Sequence, residues 1–199
     1  MPTIKVTKCY FIGGFFVMKK ILGGIVAFGM LLTLLGCGLV QNQAEAMEHP
    51  DHEKIDNARG ILDKVLEHIA DTNPEISFED GKLVDSELGL PHFEVVDISE
   101  IEHFDEKDVV NGFVVRPIVD VDNPKLLIVV EAVNKEASSN LQKAMGKVKS
   151  DQHVKFEDAG ILTKYLINDN KTVRQGNFLI YATWEESVDI VKVFEKHVR

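Results

Sequence analysis

Residues 113–121, FVVRPIVDV, and 125–133, KLLIVVEAV, face each other across Asp122-Asn123-Pro124, and this passage decides the fold. Two β-branched runs joined by short turn chemistry predict an antiparallel hairpin. The second run is apolar at both alternating sets of positions, which places it centrally in a sheet with cover above and below. Pro117 cannot donate to a ladder, so the first run reads as an edge strand or carries a bulge.

Toward the N-terminus, Ile55, Ala58, Leu62, Val65 and Ile69 recur at helical spacing and predict an amphipathic helix that stops near Thr72-Asn73-Pro74. Between residues 75 and 110 no period persists, and a short helix or turn is expected around residues 83–88. Toward the C-terminus, Ala137, Leu141, Ala144, Met145 and Val148 mark a second helix, and residues 160–167 a further helix or strand. Residues 172–174 and 177–183 then pair across Gln175-Gly176. A capping box, Thr183-Trp184-Glu185-Glu186, opens a last helix with Trp184, Val188, Val191, Phe194 and Val198 along one face. The sum is an α+β fold: a small, mostly antiparallel sheet with helices packed mainly on one face.

The N-terminal third has a different character. From Met18 the chain reads MKKILGGIVAFGMLLTLLGCG, with Lys19 and Lys20 ahead of an uncharged run and Gly36 just before Cys37. That is the layout of a secretory signal, and Leu34-Leu35-Gly36-Cys37 resembles the lipobox of bacterial lipoproteins, whose cysteine takes a diacylglycerol after cleavage. Two acyl chains suffice for stable anchoring where one does not. The organisation expected is therefore a signal peptide over residues 1–36, with 1–17 read as a mis-assigned start. A lipidated cysteine and tether follow over 37–56, and a single α+β domain over 57–199. The alternative is an uncleaved anchor, since residues 21–40 lack charge over the length a membrane helix needs. In either case the domain lies outside the cytoplasm and contains no cysteine, which excludes disulfides, thiolate metal sites and cysteine nucleophiles there.

The 199 residues include 32 acids and 22 bases, a net charge of −10. Such an excess repels nucleic acid and anionic lipid, and no nucleic-acid partner is expected. Phosphate loops, dinucleotide fingerprints, Ser-centred elbows and His-Glu-x-x-His are all missing. Three constellations remain. Glu48, His49, Asp51, His52 and Glu53 offer metal donors on a segment that reads as solvated tether. Glu94, Asp97, Glu100, Glu102, Asp105, Glu106 and Asp108 crowd 15 residues, but Val95, Val96, Ile98, Ile101 and Phe104 interleave with them. A chain lying on the core with its carboxylates in water explains that stretch better than a calcium loop, which needs a set spacing and a glycine. Asp120 and Asp122 share one side of the hairpin tip, where turn chemistry already accounts for Asp122-Asn123-Pro124. Arg116 on an apolar strand calls for an ion pair or an exposed face, and His92, His103 and His153 read as isolated surface groups. No metal, cofactor or catalytic residue is assigned.

FVVRPIVDV and KLLIVVEAV followed by a helix, then TVRQGNFLIYATWEE leading into VDIVKVFEKHV, resemble the bacterial lipoprotein family called domain of unknown function forty-three fifty-eight. Its members are short, occur mainly in Gram-positive bacteria, and carry a lipobox and a glycine-asparagine turn before the last strand, here Gly176-Asn177. The resemblance spans residues 55–198. It departs in the acidic stretch 94–108, which is longer, and in the helix after Lys135, which is shorter. It implies an address and a fold and no reaction. The expected function is that of a lipid-anchored, extracytoplasmic binding module for an envelope protein or small ligand, held to the cell membrane through Cys37 and acting without covalent chemistry. A carboxylate-based envelope hydrolase and a passive structural lipoprotein are the alternatives.

Overall fold

A computed structural model describes residues 54–118 and 122–199. Asn57, extended at φ −142°, stops helical backbone on its N-terminal side, and its side-chain oxygen accepts the Gly60 N–H at 2.7 Å. Helix α1 therefore runs Ala58–Thr72 and buries Ala58, Ile61, Leu62, Val65, Leu66 and Ile69. Ile55 lies ahead of the helix, forming a parallel bridge with Val198. Its N–H donates to the His197 carbonyl at 2.8 Å.

Strands β1 (Ile76–Glu79) and β2 (Lys82–Asp85) form a two-stranded hairpin; β2 takes the first part of the stretch 83–88, and the expected turn follows at Ser86–Leu88, where the Gly89 N–H donates to the Asp85 carbonyl at 2.9 Å. Asp80 and Gly81 join them with φ of 49° and 76°. Two consecutive left-handed residues make the type I′ turn that Asp-Gly favours, and this local signal outweighs the missing period in so short a pair. Strand β3 (Phe93–Asp97) follows, then two single-turn 3-10 segments, Ile98–Glu100 and Glu106–Asp108, and β4 (Val109–Pro117). Strand β5 (Leu126–Ala132), helices α2 (Lys135–Lys155) and α3 (Ile161–Asn168), strands β6 (Lys171–Gln175) and β7 (Phe178–Thr183), and helix α4 (Ser187–His197) complete the order.

The fold is α+β, with a five-stranded antiparallel sheet in the order β3-β4-β5-β7-β6. The β4–β5 hairpin forms as its β-branched runs require, and β5 is central. β4 is interior, contrary to the edge position that Pro117 suggests: β3 pairs along its other side, and Pro117 sits at the strand's last position opposite Phe93. The register shift in β4 falls at its far end, between Val109 and Asn111. Helices also cover both faces of the sheet rather than mainly one. Val115, Leu127, Val129, Ile180 and Ala182 pack against α1 and α4, while Val114, Ile128, Val130, Leu179 and Tyr181 pack under α2. The doubly apolar β5 demands this, since each of its faces needs a cover.

The capping box does not form. Thr183 is the last residue of β7, and Trp184 lies in the turn, its ring 4.9 Å from that of Phe93. α4 begins at Ser187 without a side-chain cap. The second hairpin turns at Gly176-Asn177 rather than Gln175-Gly176, because Gln175 pairs with Phe178 and Gly176 takes φ 60° at the first turn position.

Candidate ligand cavity

The carboxyl end of β4, the start of β5, the loop after the first 3-10 turn and the last turns of α2 enclose a cavity of about 380 Å³. Its wall is mostly hydrocarbon, including Ile101, Pro117, Ile118, Leu126, Val148 and Phe156.

A buried polar network fixes its floor. Gln152 stands on the buried face of α2, one turn past Val148, and is 8% exposed. Its Nε2 donates to the Pro124 carbonyl at 2.8 Å, tying the hairpin to the helix. Its Oε1 accepts from the Tyr181 hydroxyl at 2.5 Å and the Thr183 hydroxyl at 2.9 Å. Burial pushes the Tyr181 hydroxyl from its ordinary 10.0 up to about 12, against the hydrogen bond with Thr183 that lowers it. The fold thus holds Tyr181 neutral where the unfolded chain ionises. Its contribution is complete below pH 10 and is lost as pH rises to about 12, about 3 kcal/mol in all. Urea unfolding at intervals across that window should show the loss, and Tyr181→Phe should flatten it.

Ion pairs frame the opening. Arg116 donates from Nε to Glu94 at 2.6 Å and from Nη2 to Glu100 at 3.1 Å, the pairing its place on an apolar strand calls for. His103 Nε2 meets Asp151 Oδ2 at 2.6 Å, tying the loop after β3 to α2. His103 holds φ 85°, a conformation a non-glycine residue adopts at a cost of about 1–3 kcal/mol. Lys125 pairs with Glu185 at 2.8 Å. His92, isolated in the sequence, meets Asp85 at 3.1 Å. The Leu88 N–H, then His92, holds the Asp85 carboxyl below its usual range.

The acidic stretch lies on the core as the interleaving predicts. Ile98 is buried, and Val96, Ile101 and Phe104 pack against the core beneath α2. Asp97 and Asp105 start the two 3-10 turns, each accepting a backbone N–H two residues on. Both carboxyls are held low, Asp97 mainly by the Ser99 hydroxyl and Asp105 mainly by Lys107. Asp108 is buried and accepts from Asn140 Nδ2 at 3.1 Å. Asn123 makes the expected turn, its Oδ1 accepting the Lys125 N–H at 3.0 Å. Glu48, His49, Asp51, His52, Glu53, Cys37 and Asp120 lie outside the described residues. Among the described residues no three His, Cys, Asp or Glu side chains gather to hold a metal.

Hydrolysis by paired acids needs two carboxyls across a cleft, one raised by burial. Burial does raise Glu131, with Asp56 adding to the effect and the Asn111 amide opposing it. Neither acid lines the cavity. Sequence reasoning missed Gln152, Tyr181, Thr183 and the His103–Asp151 pair. A glutamine at the next buried position of the α2 stripe was the available signal. His103 and Asp151 are 48 residues apart and carry none.

Fold and cavity together define an α+β domain with a cavity between a helix and a hairpin tip. No protein-family model, curated protein or solved structure matches the chain. No helix among the described residues is long and apolar enough to cross a membrane.

Proposed function

We propose that this protein is a lipoprotein anchored through a diacylglycerol on Cys37, whose extracytoplasmic domain binds a small envelope ligand in the cavity beside Gln152, without covalent chemistry. The cavity carries the reading. Its volume of about 380 Å³ falls in the range of small-molecule sites, as do three larger clefts of about 460, 520 and 560 Å³; what sets it apart is the buried, hydrogen-bonded Gln152 amide in a mostly apolar wall, which suits a ligand held by shape and burial. The address is supported by the lysines, uncharged run and small residue that precede Cys37, and by the resemblance to a lipoprotein family.

Mass spectrometry of the protein extracted from membranes tests both halves. Denatured, the chain should begin at Cys37 with a diacylglycerol mass, and Cys37→Ser should abolish that processing. Under native conditions it should carry a small adduct. Ile118 lines the cavity and is 44% exposed, so Ile118→Trp fills the space without disturbing the core. The adduct should then fall at least tenfold in occupancy. An adduct unchanged by Ile118→Trp, or none at all, would remove the pocket from the account.

A further inference from the structure

Charge is unevenly distributed over the fold. Residues 135–174 carry eight basic and five acidic side chains, whereas the rest of residues 54–199 carries ten basic and 23 acidic. The segment is α2, α3 and β6, a net +3 in a domain that is otherwise −13. Its acids are accounted for locally. Asp151 pairs with His103 and Asp169 with Lys171. Glu136 sits in the first turn of α2, and Glu157 and Asp158 in the turn before α3.

Elsewhere the lysines divide, Lys54, Lys82 and Lys196 forming no ion pair among the described residues. Lys64, Lys107, Lys125 and Lys192 each reach a carboxylate. None of the six lysines of α2 and α3 has an ion-pair partner among the described residues. Lys143, Lys147 and Val154 share the outward face of α2 at spacings of four and seven residues. Val154 is 73% exposed. On α3, packed against α2, Ile161 and Leu162 are 82% exposed and Tyr165 68%, and only Ile167 is buried.

Unpaired lysines on the same helical layer as exposed aliphatic and aromatic side chains are the composition of a surface that lies in a bilayer interface; the three carboxylates that border a cleft with Leu162 and Tyr165 are Asp122, Asp169, which pairs with Lys171, and Glu185, which pairs with Lys125. We propose that the α2–α3 layer is a membrane-contact face seated on anionic lipid, with its lysines among the headgroups and Ile161, Leu162 and Tyr165 entering the interface. The choice of occupant rests on the anchored reading above. The 17 Cα–Cα steps from Cys37 to Lys54 reach at most about 56–61 Å, beyond the roughly 30 Å of a helix–sheet–helix sandwich. The tether therefore permits this pose although it enters at Ile55, beside the end of α4. The net negative charge that opposes such a surface is concentrated on the remainder of the domain.

The compact unit Met47–Arg199 contains both cores, so residues 47–199 without lipid are the test protein. They should co-sediment with vesicles containing about a third phosphatidylglycerol, progressively less as salt rises, and not with pure phosphatidylcholine. At about fivefold per lysine charge removed near the surface, Lys143→Gln with Lys147→Gln should weaken partitioning roughly thirtyfold. Leu162→Asp should weaken it at least tenfold. Equal binding to neutral vesicles, no binding to either, or insensitivity to these substitutions would overturn the inference. So would polyphosphate in solution binding as well as vesicles do, with Leu162→Asp without effect. Each of these leaves the Cys37 mass and the Ile118→Trp adduct standing, so the two readings fail separately.

Discussion

Gln152→Ala should destabilise the domain by about 3 kcal/mol, read as a lower urea midpoint at unchanged slope. The substitution removes three hydrogen bonds at once: to the Pro124 carbonyl, the Tyr181 hydroxyl and the Thr183 hydroxyl. Tyr181 and Thr183 are both 0% exposed, so water does not replace the lost partner. A buried polar group left unpaired costs about 1–3 kcal/mol. Tyr181 and Thr183 retain one contact with each other at 3.3 Å, which limits the sum. Combining Gln152→Leu with Tyr181→Phe and Thr183→Val removes most of the unpaired groups together with the amide. That triple variant should recover more than half of the loss. A shift below about 1 kcal/mol for Gln152→Ala would show that the network is not what holds the hairpin tip to α2. Because the same amide fixes Pro124 at the cavity floor, Gln152→Ala should also lower adduct occupancy.

The hairpin, the central strand and the buried stripe of α2 were legible because each repeats a strong period over seven or more residues. β5 announced its own environment: a strand apolar on both sides needs two covers, and the placement of helices mainly on one face conflicted with that requirement. β1 and β2 were not legible as strands, being four residues each, although Asp80-Gly81 is a turn signal of its own. The edge assignment of β4 failed for a related reason, since β3 has only five residues and no alternation to reveal it. The cavity was least legible, because it is made where α2, β4 and β5 meet and no single segment carries its pattern. Charge segregation was present in the sequence all along, but a net value for the whole chain conceals it.

The last helix separates two assignments of its buried face, and the effect expected is the largest here. Phe194→Ala should cost about 3–5 kcal/mol, while Val188→Ala should stay within about 0.5 kcal/mol. Phe194 is 0% exposed and belongs to the core that α1, α4 and the sheet share, with Ile61, Leu62 and Leu66 in the same cluster. Removing its ring leaves a void that close-packed neighbours only partly refill. Val188 is 49% exposed, and alanine there gains helix propensity. A helix started by a capping box at Thr183 would put Trp184, Val188 and Val198 on the buried face and make Val188→Ala costly. Trp184 is buried from the turn, against Phe93, and Val198 lies past the helix, bridged to Ile55. With those two residues outside the helix, Ser187, Ile190 and Phe194 define the buried stripe instead. Comparable losses for Val188→Ala and Phe194→Ala in thermal unfolding would restore the capped helix; a large loss for Phe194 alone places α4 as described.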